Sequence, residues 1–149
     1  MAMIWLLFFV VFVAGGLVAT QAGVNAQLAR GLGSPVLAAT VSFLVGTLAL
    51  GIWALGMYRQ WPDRATAAGV PWWAWTGGLL GAFFVVVTAA LARRMGAGTL
   101  ISTAIAGQMV FALALDHYGL AGFTQRPAGF WRFVGGALLI AGTILVRKC

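Results

Sequence analysis

The sequence predicts an all-α membrane protein of five transmembrane helices. Three observations carry this reading. Of its 149 residues, 62% are hydrophobic and only 7% are charged, whereas a water-soluble domain has about 25% charged residues. The apolar residues gather into five runs, each long enough for the roughly 20 helical residues that cross a hydrocarbon core of about 30 Å. Within the runs polar and apolar residues do not alternate, which disfavours the strands of a membrane barrel.

Taken in order, the first helix covers about Ile4 to Arg30. It exceeds a single span, so it should tilt or project past the interface. No Lys or Arg precedes Arg30, so the run lacks the basic start of a cleaved signal peptide and is expected to stay as a helix. Gly33-Ser34-Pro35 breaks the chain, and proline suits the first turn of the second helix, about Pro35 to Tyr58. The polar segment Arg59-Gln60-Trp61-Pro62-Asp63-Arg64 follows. The third helix is expected from about Trp72, after Pro71, to Leu91. Arg93, Arg94, Gly96 and Gly98 make a short turn. The fourth helix runs from Thr99 to about Leu115. Asp116, His117, Tyr118 and Gly119, then Gln125, Arg126 and Pro127, are expected to form the next connection. The fifth helix covers about Trp131 to Val146, before Arg147 and Lys148. Residues 1–149 thus read as one transmembrane domain. Trp61, Trp72, Trp73, Trp75 and Trp131 flank or begin spans, where an aromatic belt places them.

Composition also excludes functions. A soluble enzyme could not hide this much apolar surface. One His, one terminal Cys149, and two Asp with no Glu make a metal site hard to assemble. Neither H-E-x-x-H, P-loop nor Rossmann patterns occur, so no cofactor or enzymatic activity is expected. The net charge of +7 comes from Lys and Arg scattered singly or in pairs. They form no basic face for nucleic acid and suit anionic lipid headgroups instead.

The same charges bear on orientation. Five spans put Arg59, Arg64, Arg126 and Arg132 on one side of the membrane. Arg30, Arg93, Arg94, Arg147 and Lys148 fall on the other. Four against five is almost no bias, and the positive-inside rule needs an excess. The chain is therefore expected to insert both ways up and to pair as an antiparallel homodimer, an inverted repeat made from one gene product. Gly77 and Gly81 form a G-x-x-x-G step, and Gly135 and Gly142 share a face of the fifth helix. Both pairs are candidate packing seams.

Several motifs together resemble the YdcZ-type family of small bacterial inner-membrane proteins, within the drug/metabolite transporter superfamily. They are G-V-N-A-Q-L-A-R at Gly23–Arg30, G-S-P at Gly33–Pro35 and S-F-L-V-G-T at Ser42–Thr47. P-W-W at Pro71–Trp73, G-G-L-L-G at Gly77–Gly81, I-A-G-Q at Ile105–Gln108 and D-H-Y-G at Asp116–Gly119 extend the likeness over nearly the whole chain. The resemblance implies a five-helix half-transporter, in a family that includes homodimers, paired genes and fusions, with dual topology expected of the single-gene members. It names a transport class and not a substrate. Related small multidrug transporters carry a carboxylate in the middle of the first helix, and this chain has neutral amides there, so their proton/cation exchange does not carry over directly.

Gln21 and Asn25 stand four residues apart and share a helix face, with Gln27 on another. Ser102, Thr103 and Gln108 are the polar set of the fourth helix. Polar groups are unfavourable against lipid, so Gln21, Asn25, Gln108 and Ser102 are candidate solute contacts. Amides provide both donors and acceptors and suit a neutral or zwitterionic solute. The competing reading has Asn and Gln bridging helices and Ser and Thr bonding their own backbone. Asp116 and His117 are the candidate proton-coupling groups; a cap, or an ion pair of Asp116 with Arg126 or Arg132, competes. The expected function is a secondary transporter, exporting a small organic solute by alternating access. A small antiparallel channel and a non-transporting assembly subunit are the alternatives.

Overall fold

The computed structural model describes residues 2–58 and 62–148. Arg59, Gln60 and Trp61 of the expected polar segment, and Cys149, lie outside the described residues. The described residues are all-helical, and five helices are long and apolar enough to cross a membrane. Two compact units divide the chain, residues 1–92 and 93–149.

The first unit opens with α1 (Ala2–Leu32) and α2 (Pro35–Met57). Gly33 turns between them at φ +71°, a conformation L side chains rarely adopt. Ser34 then caps α2, its hydroxyl accepting from the Leu37 N–H at 3.4 Å, and Pro35 takes the first turn, where no N–H is needed. The buried apolar positions of α1 and α2 are small: Ala22, Ala26 and Ala29 on α1, Ala38 and Ala39 on α2. Small residues let backbones approach where no hydrophobic force drives helices together. The first turns of α1 differ: residues 3–18 are exposed on every face, with Phe12 at 79%. Such a surface suits lipid and not water.

After α2 come two short elements that apolar run-length could not reveal. Helix α3 (Arg64–Ala68) forms because the Asp63 carboxylate accepts from the Thr66 N–H at 2.8 Å, an N-cap. A 3₁₀ turn covers Trp72–Thr76, closed by the Ala74 N–H on the Pro71 carbonyl at 3.0 Å. The tryptophans take this tighter turn and α4 follows over Gly77–Met95; together Trp72–Met95 make one candidate span that starts where the sequence reading set it. Its Gly81 approaches the ring of Phe43 on α2; a Cβ there would lie 3.4 Å from that ring.

The second unit is a hairpin of α5 (Ala97–Tyr118) and α6 (Phe130–Lys148). Asp116 and His117 belong to the last turn of α5, and not to the connection where the sequence reading set them. Gly119, left-handed at φ +63°, is what ends the helix. The two helices run antiparallel. Gly98 faces Val146, Ser102 meets Thr143, Leu113 meets Gly136, and Asp116 meets Arg132, so one index falls as the other rises.

Candidate solute-binding site

The amides of α1 divide between two environments. Asn25 is 3% exposed and sits on the strip made by Ala22, Ala26 and Ala29. Those positions follow the i, i+3, i+4, i+7 spacing of one helix face. Gln21 is exposed. At about 100° per residue it stands about 40° from Asn25, on the side away from the alanines, at the rim of the strip. Gln27 and Arg30 are exposed too. Among the described residues the other buried polar one is Thr88 on α4, which the sequence reading passed over. Its hydroxyl donates to the Phe84 carbonyl at 2.9 Å and lies 3.2 Å from that of Val85. Among the described residues no fully buried side-chain nitrogen or oxygen lacks a partner, so no orphaned group marks a ligand position.

The polar set of α5 lies in the second unit. Ser102 is half-buried and donates to the Thr99 carbonyl at 3.2 Å; Thr103 donates to the same carbonyl at 2.7 Å. Both hydroxyls are engaged with their own helix, as back-bonding allows. Gln108, at mid-helix, is exposed. Thr143, which the sequence reading did not single out, joins the helices: its hydroxyl lies 3.0 Å from the Ser102 carbonyl and 2.9 Å from that of Leu139. Its signal was its isolation, a lone hydroxyl in the apolar run of α6.

Asp116 pairs with Arg132 at 3.1 Å. Arg132 also donates to the Arg126 carbonyl at 3.3 Å, and the Arg126 N–H donates to the Asp116 carbonyl at 2.7 Å. Of the two arginines considered for Asp116, Arg132 supplies the charge and Arg126 the backbone. His117 fastens the same connection. Its Nδ1 accepts from the Ala128 N–H at 3.2 Å, and its carbonyl accepts from the Gln125 side chain at 3.1 Å. The proton-coupling candidates are thus both engaged at the end of the hairpin.

The close-packed glycine of α6 is Gly136. A Cβ there would come 3.3 Å from Leu113 Cδ1, whereas one at Gly135, Gly142 or Gly77 would meet nothing within 4 Å. Of the G-x-x-x-G step, Gly81 is the glycine closely approached among the described residues, by the Phe43 ring. Among the described residues no group of three or more His, Cys, Asp or Glu side chains is placed to hold a metal ion.

Five spanning helices with neutral amides at mid-helix invite comparison with transport proteins. A family model described as "Putative inner membrane exporter, YdcZ" matches residues 6–145. The chain belongs to the YdcZ family. This is a family of inner-membrane proteins, and its description is that of an exporter. The YdcZ inner membrane protein of Escherichia coli (strain K12) is 37% identical over 79 residues, covering 53% of this chain and 52% of that relative. The match therefore spans about half the length of the relative. No solved structure matches.

Proposed function

We propose that this YdcZ-family chain is a secondary carrier that exports a small organic solute, working as an antiparallel homodimer by alternating access. The supporting observation is the exposure of Gln21 and Gln108. Gln21 lies about 14 Å along α1 from Arg30, and Gln108 about 16 Å from the start of α5, at 1.5 Å per residue. Both depths fall inside a hydrocarbon layer about 30 Å thick. Amides held against lipid at such depth are unfavourable. A second, inverted copy would give them a shared wet cavity beside which Asn25 supplies a buried amide. Ser102 is the weaker contact, because its hydroxyl already serves its own helix. Gly77, Gly135 and Gly142, open in the single chain, are the faces a second copy would approach. The near balance of basic residues supports insertion in both orientations. Asp116 and His117 would couple protons only by leaving the partners they hold.

The test is transport by purified protein in proteoliposomes. Asn25→Ala should abolish saturable uptake and counterflow while dimer assembly persists; unchanged kinetics would remove Asn25 from the site. Passive flux orders of magnitude faster, without counterflow, would make the protein a channel. No flux at all would favour an assembly subunit. A reporter fused to the C-terminus should give signal from both sides of the membrane, and signal from one side alone would end the dual-topology reading.

A further inference from the structure

The α5–α6 hairpin carries a groove of about 360 Å³, within the range of small-ligand sites. Its walls are apolar, built by Val110, Ala114, Phe133 and Ala137, and its polar groups, His117 and Tyr118, gather at one end. That end is where Gly119 stops α5. From Val110 to His117 the groove follows α5 for about 10 Å at the helical rise. Polarity therefore changes along the groove as it does along an amphiphile, apolar in its body and polar where the helix ends.

The polar end has a defined chemistry. His117 Nδ1 accepts from the Ala128 N–H, and Ala128 itself lines the groove. A neutral imidazole that accepts at Nδ1 carries its hydrogen on Nε2. The ring atom left for a ligand is therefore a donor, and it calls for an acceptor oxygen. Asp116 and Arg132 line a separate pocket of the same hairpin, so the head-group contact rests on the imidazole donor. An apolar tail with an oxygen-bearing polar head fits both ends of the groove. A docking helix that presents only apolar side chains would leave the histidine donor unmatched. In a membrane-spanning chain the standing neighbour of that chemistry is a lipid.

We propose that the α5–α6 hairpin binds a phospholipid, with an acyl chain in the groove beside Ala114 and Ala137 and an ester or phosphate oxygen on the Nε2–H of His117. The site lies within one hairpin and needs neither the dimer nor transport. It makes His117 a lipid-headgroup contact, with its loop-fastening bond as the device that fixes the tautomer.

His117 is the chain's single histidine, so labelled imidazole nitrogens report one ring. The full chain in non-ionic maltoside micelles at about pH 8 is titrated with phosphatidylglycerol. The Nε2 resonance should move saturably while Nδ1 keeps the signature of an acceptor. Glycerol phosphate alone and decane alone should each bind at least about tenfold more weakly, since each supplies one half of the contact. Ala114→Phe and, on the facing wall, Ala137→Leu fill the groove and should suppress the shift with the circular dichroism unchanged. In native mass spectrometry His117→Phe should weaken the retained lipid adduct about tenfold, the loss of one hydrogen bond. The proposal is overturned by any of four results: a silent Nε2, a shift that survives both filled variants, a full response to glycerol phosphate alone, or ready disulfide formation between copies of Ala114→Cys in a Cys149→Ser background. The last would make the groove a helix interface.

Discussion

Gly136 offers the sharpest test of how α5 and α6 pack. A Cβ there would stand 3.3 Å from Leu113 Cδ1 and 3.9 Å from Met109 Cγ. Carbon atoms rest at about 3.5–4.0 Å, so the Leu113 methyl must retreat by about 0.2–0.7 Å. Leu113 is only half-buried and lines the groove, so its flexible tip has room, at a cost of about 0.5–1.5 kcal/mol if a rotamer is strained. Replacing a helical glycine by alanine returns about 1 kcal/mol. The two terms nearly cancel, and Gly136→Ala should leave stability within about 1 kcal/mol of wild type. Gly136→Val pushes two further carbons into the seam and should lose about 1–3 kcal/mol. Gly135→Ala meets nothing within 4 Å and should gain up to about 1 kcal/mol. The assay is an SDS-unfolding titration followed by far-ultraviolet circular dichroism. A Gly136→Val protein as stable as wild type would refute the close contact. A Gly135→Ala protein that loses stability would show a second chain packed on that face.

Three further outcomes follow from the same geometry. Thr143→Val removes the hydroxyl that spans α5 and α6 and should destabilise the hairpin by about 0.6 kcal/mol, at most about 1.7; Ser102→Ala should do less in the same titration, because Ser102 contributes only its carbonyl to that bond. A double-mutant cycle with Asp116→Asn and Arg132→Gln should return a coupling below about 1 kcal/mol, since the side chains are 33% and 38% exposed and solvent screens them; a coupling well above that range would mean the pair is desolvated. Asp63 is held below the ordinary aspartate value of 3.8 by hydrogen bonds from Thr66, first its side chain and then its backbone. A depressed carboxyl stabilises while ionised and loses that contribution as pH falls below 3.8. Amide exchange at Thr66 and Ala67 should then accelerate relative to Asp63→Asn, a variant that still caps without titrating; parallel profiles would refute the cap.

Much of the fold is legible in the sequence because a lipid solvent asks little of it. Five apolar runs of sufficient length become five spanning helices, since only a helix satisfies its own backbone in hydrocarbon without a closed barrel. Gly33-Ser34-Pro35 carries its turn, cap and first helical residue as local chemistry. The short α3 and the 3₁₀ turn at Trp72–Thr76 escape run-length reasoning because each is set by a single cap or turn bond. The end of α5 shifts for a like reason: Asp116 and His117 look like connection residues by polarity, yet a helix continues until something stops it, and that is Gly119.

What the sequence by itself determined was the class of protein: the spans, the family motifs and the neutral amides of the first helix. What tertiary structure decided was which of two equivalent-looking neighbours makes each contact. Asn25 is buried and Gln21 is not; Gly136 packs and Gly135 does not; Arg132 takes the Asp116 carboxylate while Arg126 gives its N–H. One residue along a helix is a rotation of about 100°. Composition and spacing say that a helix has a packed face, but only the neighbouring helix fixes the angle at which that face points.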